Sequence, residues 1–330
     1  MMSRWNGFES ILAKDISDFL AAKRASGRLF NAEESALRLL DQYLFEHEIR
    51  HLEEITSLII DSFLVSRPRP RPRSYNHLLC TTSRLFDWMV TQERIKKSPV
   101  QAKYRRQTSQ RLPFIFDLPA ARSLLKTAMA LPDNPKAIAR GKTYHAIFAI
   151  LYGLGLRVGE ACRLRISDVD FGRHLLLIRK TKFYKDRLVP FGPRLEGVLQ
   201  VFLDDKIQRL GNLMPEAPFF SFTRGTEIHP CTVSQTFHAL IPRLGLNQSP
   251  GISAPHLHDL RHSFAVGTLL RWYKTKKDIG SELLKLSTFL GHVDISSTAV
   301  YLNITESLLR EANGRFETFA APVLHEVPLL

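Results

Sequence analysis

The sequence predicts a mainly α-helical protein of two domains, the second of which combines helices with a small antiparallel sheet. Apolar residues recur at three- and four-residue spacing over most of the 330 residues, which is typical of helices with one buried face. Two short apolar segments, HLLLI (174–178) and RLVPF (187–191), flank a charged turn and predict paired strands. A basic segment without apolar periodicity separates the two halves, and the length is sufficient for two domains.

The first half of the sequence is predicted to form a helical domain. Asn31 with Glu34 three residues later resembles a capping box, which would open a helix carrying Leu37, Leu40 and Leu44. Helices are also predicted around residues 8–20 and from Leu52 to Leu64. The run RPRPRPR (67–73) should be extended, because proline moves the preceding residue out of the helical region. Ser74 can then cap a fourth helix, whose inner face would carry Tyr75, Leu78, Leu79, Leu85, Phe86 and Met89.

In the second half of the sequence, more helices are predicted before and after the two strands. They are expected over 117–130, 140–152, 157–164, 193–209, 231–243, 259–272, 279–290 and 295–302, with a last one near 305–318. Between the halves, residues 94–111 contain seven basic and no acidic residues. This composition fits a linker lying along a phosphate backbone, and it equally fits a solvated tether.

The amino-acid composition limits which kind of partner the protein binds and in which compartment it is found. Lys and Arg total 46 against 32 Asp and Glu, a net charge of +14 that favours a nucleic acid before a membrane; the alternative is that the charge only aids solubility. The cysteines, Cys80, Cys162 and Cys231, have no CxxC spacing, which argues against disulfides and structural zinc. The longest apolar stretch, 146–156, is too short to span a bilayer. We expect a cytoplasmic, nucleoid-associated protein.

Several separated polar residues could form one site. His258 and Arg261 share a face at a predicted helix start, where backbone N–H groups favour an anion. Arg157 follows a glycine-rich turn, with Glu160 one turn later. Alone, each pattern has a structural explanation: a surface His–Arg pair, or a partly buried arginine paired with its carboxylate. Two arginines that converge on one phosphate are the functional alternative, because the guanidinium fork matches two phosphate oxygens.

His292 directly follows Gly291, and Tyr301 comes nine residues later. The glycine should end one helix, and Asp294 or Ser296 can cap the next. A single tyrosine on an amphipathic helix is usually a core residue. The order and spacing of all these residues together indicate a function more strongly than any one of them does alone.

This order resembles the tyrosine recombinase (phage integrase) family. The segments that carry the resemblance are LGLRVGEACRLRISDVDF, KTKFYKDRLVPFG, HLHDLRHSFA and LGHVDISSTAVYLNIT, and they cover roughly residues 114–315. The resemblance implies a helical core-binding domain at 1–97, a basic linker at 98–113 and an α+β catalytic domain with a C-terminal tail at 114–330. The resemblance of the first hundred residues to the core-binding domain is far weaker than that of the catalytic part.

The resemblance also implies roles for individual residues. Tyr301 matches the nucleophile, which would form a 3′-phosphotyrosine link to DNA. Arg157 and Arg261 match the two arginines that stabilise the phosphorane oxygens, and Glu160 matches a supporting acidic position. His258 and His292 match two acid–base or hydrogen-bonding positions. The leaving 5′-oxygen takes its proton from a turn lysine in this family, and Lys182 matches that position best by its spacing from RLVPF. His256 and His262 are expected to pack or to contact a phosphate.

The implied partner is double-stranded DNA carrying recombination sites, bound by four protomers on two sites, with or without accessory proteins. Candidate DNA contacts are Arg67, Arg69, Arg71, Arg73, Lys103, Arg105, Arg106, Lys180 and Lys185; a stiff spacer is the alternative for the Arg-Pro run. No metal is expected, because arginines beside the histidines disfavour a cation. The resemblance also implies no other cofactor, because a phosphotyrosine link conserves the bond energy and no ATP is needed. The expected function is an integrase or a transposase of a mobile element. A type IB topoisomerase and a catalytically silent DNA-binding regulator are the alternatives. The apolar tail after Tyr301 would pack either in cis or on a neighbouring protomer.

Overall fold

The chain divides into two compact units, Met1–Gln110 and Arg111–Leu330. The computed structural model describes residues 7–27, 29–106, 112–179, 186–223, 225–248, 250–275, 277–292, 294–303 and 310. Within these ranges, no helix is long and apolar enough to cross a membrane. The two units are described separately below.

The described part of the first unit consists of helices packed around one apolar core. They are α1 (Ala13–Ala25), α2 (Asn31–Glu46), α3 (Ser57–Ser66) and α4 (Pro72–Thr91), and α4 packs against both α1 and α2. The predicted inner faces are confirmed, since Leu37, Leu40 and Leu44 of α2 are buried. In α4 the buried apolar residues are Leu78, Leu79, Leu85, Phe86 and Met89, while Tyr75 packs partly buried against the same core.

The predicted helix at Asn31 is confirmed but lacks its capping box, and the predicted helix starts at Leu52 and Ser74 are wrong. Phe30, in the left-handed region at φ 53°, precedes α2, and Asn31 is its first residue without a side-chain cap. Glu34 does not complete a capping box because its carboxylate pairs with Arg24 and Arg38. The stretch from 52 is a 3-10 turn (Leu52–Glu54), and α3 begins only at Ser57. Ser74 lies inside α4 because Pro72, whose fixed φ suits the first helical turn, starts that helix two residues earlier.

The second unit is built around one central helix. It contains α5 (Leu118–Met129), α6 (Arg140–Leu154), α7 (Val158–Cys162), α8 (Pro193–Leu210), α9 (Pro230–Leu240), α10 (Asp259–Lys274), α11 (Ile279–Leu290) and α12 (Ser296–Ala299). Helices α5, α8 and α10 pack against α6, which is buried along most of its length. The apolar run at 146–156 is therefore a core segment, as a helix that is apolar on all sides should be.

A small antiparallel sheet flanks these helices. Its strands are β1 (Val169–Asp170), β2 (Leu175–Ile178) and β3 (Arg187–Pro190), in the order β1–β2–β3. Leu176 lies opposite Val189, and both side chains are buried. The two predicted strands are confirmed. Strand β1 was not predicted, because it has only two residues and thus no alternation to detect.

The predicted helix at 295–302 is α12 followed by a 3-10 turn, Val300–Asn303. Asp294, one of the two predicted caps, accepts a hydrogen bond from the Ser296 N–H at 3.0 Å. Of the predicted last helix only residue 310 is described, and the C-terminal tail lies outside the described residues. The predicted fold class, mainly α with a small antiparallel sheet in the second domain, is confirmed.

Candidate active site

Two arginines from separate motifs meet where α6 and α11 end. Arg261, in the first turn of α10, is only 2% exposed. Its guanidinium donates hydrogen bonds to the Gly155 carbonyl at 2.6 Å and to the Leu290 carbonyl at 2.7 Å. Arg157, at the start of α7, donates to the Gly291 carbonyl at 3.1 Å. The loops after α6 and α11 therefore hold both guanidinium groups.

Glycine is required at both of these loops. Gly155 and Gly291 have φ of +61° and +68°, where residues with a side chain are strained. A Cβ at position 155 would lie 2.6 Å from Phe264 Cδ1, and one at position 291 would lie 2.8 Å from Arg187 Nη1. Each loop thus depends on glycine for its backbone conformation and for the space beside it.

The carboxylate of Glu160 joins two arginines. It accepts two hydrogen bonds of 2.9 Å from Arg187 and one of 2.9 Å from Arg157 Nη1, and Oε2 also accepts from the Arg157 backbone N–H at 3.0 Å. Burial alone would raise the pKa of Glu160, but Arg187 and Arg157 outweigh it and lower that pKa to about 2. Glu160 is therefore ionised at neutral pH and fixes both guanidinium groups.

Arg187 is a member of this site that the sequence analysis missed. It begins β3, and its Nε donates to the Phe289 carbonyl at 3.0 Å. Its side chain is 11% exposed and lies on the same face of the strand as the buried Val189. The sequence did contain a sign of this role. Arg187 is two residues before Val189 in a predicted strand, so both side chains should lie on the inward face, and an arginine on that face needs a partner.

Tyr301 lies among the histidines of the site. It is 3% exposed, and its hydroxyl is 3.1 Å from Nδ1 of His262. The rings of His292 and Tyr301 are nearly parallel with centroids 6.3 Å apart, and His292 Nδ1 is 2.7 Å from the Thr298 hydroxyl. His258 stacks edge-on against His262 at 4.7 Å. The contacts of His262 with Tyr301 and of Thr298 with His292 were not predicted from the sequence.

The titration of these groups follows from burial beside fixed positive charge. Burial, followed by the charges of Arg261 and Arg157, lowers the pKa of His258 and of His292 to about 4. Burial raises the pKa of Tyr301, and the nearby Arg261 and Arg157 offset part of that rise. At neutral pH the site therefore presents neutral imidazoles and a neutral phenol beside three guanidinium groups and the ionised carboxylate of Glu160.

The structure brings together Arg157, Glu160, His258, Arg261, His292 and Tyr301 of the predicted catalytic set. Lys182, Lys180 and Lys185 lie outside the described residues. Arg179, which precedes these lysines in the sequence, donates from Nε to the buried Asp168 at 2.5 Å. His256 is largely exposed, with Nδ1 3.9 Å from the Asp259 carboxylate.

The predicted DNA-contact residues before position 107 belong to the first unit. Asn76 on α4 bonds both the N–H and the carbonyl of Arg105 at 2.8 Å. The Arg105 guanidinium lies 3.9 Å from the Tyr75 ring and donates to the Arg69 carbonyl at 2.7 Å. Arg67 lies 4.0 Å from the Glu46 carboxylate. The segment at 103–106 is thus attached to the Arg-Pro run at the start of α4.

Comparison with known proteins gives the family. The model of the phage integrase family matches residues 123–307. The putative integrase/recombinase y4rB of Sinorhizobium fredii is 36% identical over 206 residues, which span 62% of this chain and 66% of that protein. A second protein of that organism, the putative integrase/recombinase y4rE, is 26% identical over 308 residues, which span 93% of this chain and 96% of that protein.

Among solved structures, a lambda integrase tetramer bound to a Holliday junction has a similar fold. Its TM-score is 0.62 at 17% identity, over 90% of this chain and 78% of that one. The family match extends from α5 to beyond Tyr301 and includes every described residue of the arginine and histidine cluster. The chain belongs to the phage integrase family of tyrosine recombinases, enzymes that cleave and rejoin DNA strands in site-specific recombination.

Proposed function

We propose that this recombinase cuts one strand of a double-stranded recombination site by attack of Tyr301 on the scissile phosphate. The observation that carries this proposal is the position of the Tyr301 phenol beside a guanidinium pair that three fixed carbonyls and Glu160 hold in place. A phosphodiester carries one negative charge, which this pocket can accept. Arg157 and Arg261 would stabilise the additional charge on the phosphorane oxygens.

In the proposed step, the Tyr301 oxygen forms a bond to phosphorus and the bond to the 5′-oxygen breaks. The products are a 3′-phosphotyrosine and a free 5′-hydroxyl, so no nucleotide cofactor is needed. His258 and His292 would donate or accept hydrogen bonds at the phosphate, and Lys182 would protonate the leaving oxygen. Glu160 would support the site by fixing Arg157. Attack by a 5′-hydroxyl from another duplex reverses the chemistry and joins new partners.

Residues 1–97 of the first unit are proposed as the core-binding domain, joined through the basic linker (98–113) to the catalytic domain (114–330). The attachment of Arg105 to Asn76 and Arg69 supports one continuous basic surface, on which the main phosphate contacts would be Arg69, Arg71, Arg73, Lys103, Arg105 and Arg106. Such contacts position DNA without reading its sequence. Arg67 would contribute less because it already pairs with Glu46. Lys180 and Lys185 would bind phosphates near the cleaved bond.

A tetramer on two DNA sites is the proposed active assembly, as in the lambda integrase tetramer bound to a Holliday junction. The DNA substrate would place the enzyme at the nucleoid in the cytoplasm. Integration and transposition by a mobile element are both compatible with this assignment.

The test is to trap covalent complexes on fragmented DNA from the source organism with detergent and to sequence the attached ends. We expect adducts at one recurrent, roughly palindromic site. Tyr301→Phe should abolish them while DNA binding persists, and Tyr273→Phe, a change of the same kind on α10, should leave them. Scattered adducts together with plasmid relaxation would instead favour a topoisomerase. DNA binding by the wild-type protein without any adduct would favour a silent regulator.

A further inference from the structure

The hydroxyl of Tyr301 has one histidine as a direct hydrogen-bond partner. His262 Nδ1 lies 3.1 Å from the hydroxyl oxygen. Among the described residues, no such bond joins Tyr301 to His258 or His292, and His292 Nδ1 is already 2.7 Å from the Thr298 hydroxyl. The imidazole that can take the phenolic proton directly is therefore His262, which follows Arg261 in the sequence.

The other side of the His262 ring faces a carboxylate. Its Nε2 lies 4.0 Å from Oδ1 of Asp259, whose side chain is buried and whose Oδ2 accepts from the His256 backbone N–H at 2.7 Å. At 4.0 Å this contact is electrostatic and too long for a hydrogen bond. The negative carboxylate favours the tautomer with the proton on Nε2, because the N–H dipole then points toward it. Nδ1 is then unprotonated and accepts from the Tyr301 hydroxyl. A nucleophile within hydrogen-bond distance of a neutral base is the usual arrangement for nucleophilic catalysis.

Among the described residues, the titratable and charged groups beside His262 are His258, His292, Arg261, Asp259 and Tyr301. Burial first, then His258 and Arg261, lower the pKa of His262 to about 4, so the imidazole is neutral and able to accept a proton at neutral pH. A bound phosphate would bring negative charge beside Arg261 and so raise this pKa toward its ordinary value. Asp259 would stabilise the imidazolium when it forms.

We propose that His262 is the general base that takes the proton of Tyr301 as the bond to phosphorus forms. This inference rests on the proposed function. During cleavage the phenolic proton moves to Nδ1, the oxygen–phosphorus bond forms, and the 5′-oxygen leaves with a proton from its own donor. In rejoining, the 5′-hydroxyl returns its proton to that donor as it attacks phosphorus, the bond to Tyr301 breaks, and the imidazolium returns its proton to the phenolate. Each half-reaction thus leaves His262 in the state that the other requires.

The test is single-turnover cleavage of the DNA site identified by trapping, with His262→Ala and His262→Asn. Asparagine keeps a polar amide near the position of Nδ1 but cannot accept a proton as imidazole does. Both variants should form the Tyr301 adduct about 10²-fold or more slowly, the range that general base catalysis contributes, with unchanged DNA affinity. Added imidazole should accelerate His262→Ala and should have no effect on Tyr301→Phe. His238→Ala, which removes an exposed imidazole on α9, should cleave like the wild type.

A His262→Asn rate within about threefold of the wild type would overturn the proposal, because general base catalysis contributes about 10²-fold or more. Failure of imidazole to accelerate folded, DNA-binding His262→Ala would also overturn it. Thermal unfolding of both variants checks the fold, and asparagine preserves more of the packing. A wild-type protein that forms no adduct at Tyr301 would refute the proposed function itself, whereas normal wild-type cleavage with active His262 variants would refute only the role of His262.

Discussion

Replacing Glu160 by glutamine should destabilise the second unit substantially at pH 7. The carboxylate is 3% exposed and accepts three bonds from guanidinium groups and one from a backbone N–H. Glutamine has nearly the same shape, but its NH₂ group would face donors that now have an acceptor. Two donors would lose their partner, and both arginines would lose the negative charge that neutralises them.

The magnitude follows from the pKa of the carboxyl group. It is lowered from 4.5 to about 2, and each unit corresponds to about 1.36 kcal/mol, so ionised Glu160 contributes roughly 3 kcal/mol. For a domain of 150–250 residues, roughly 3 kcal/mol lowers Tm by about 6–12 °C. Because the folded-state pKa is lowered, this contribution is complete above about pH 4.5 and is lost as the pH falls toward about 2.

Calorimetry of Glu160→Gln and the wild type, from pH 7 down to the acid transition, measures this effect. Glu216→Gln, which changes an exposed glutamate of the same unit, is the matched control and should leave Tm unchanged. The gap between wild type and Glu160→Gln should be largest at pH 7 and should narrow below pH 4.5. A gap of less than about 0.5 kcal/mol at pH 7, within the range of ordinary surface substitutions, would show that the arginine–glutamate cluster does not stabilise the fold.

Three further changes test other parts of the structure. Gly155→Ala should cost about 1–3 kcal/mol in denaturant unfolding, because φ is +61° and the added Cβ meets Phe264; a neutral effect would contradict the required left-handed loop. Arg261→Lys should slow cleavage about 10²-fold or more, since an ammonium cannot reproduce the guanidinium fork; wild-type single-turnover rates would argue against that fork. Asn76→Ala should weaken DNA binding by about 1 kcal/mol, several-fold in Kd, because Arg105 loses its backbone anchor; unchanged affinity in a titration would remove this segment from the binding surface.

Local patterns predicted the elements and the faces that they bury. The inner faces of α2 and α4 and the two longer strands follow from three- and four-residue or alternating apolar spacing. Helix starts were harder to predict, because side chains that can cap have other partners in the folded chain. Glu34, for instance, pairs with Arg24 and Arg38 instead of closing a capping box. Pro72 likewise started α4 ahead of the expected serine cap.

The candidate site, too, was predicted only in part from the sequence. The resemblance to tyrosine recombinases assembled Arg157, Arg261 and Tyr301 from motifs up to 144 residues apart, the difference between positions 301 and 157. It could not supply the contacts that hold them. Arg187 meets Glu160 across 27 residues, and His262 meets Tyr301 across 39. These pairings depend on how β3, α10 and the turn after α12 pack, which no local pattern encodes.

The central claim is that Tyr301 becomes covalently linked to DNA, and peptide mapping of the trapped adduct tests it most directly. Trypsin cleavage after Lys285 and Arg310 releases the segment 286–310, in which Tyr301 is the only tyrosine. Digesting the DNA to a short remnant and sequencing the modified peptide by mass spectrometry should place a nucleotide on Tyr301 of this segment. A nucleotide on any other residue, with Tyr301 unmodified, would contradict the account.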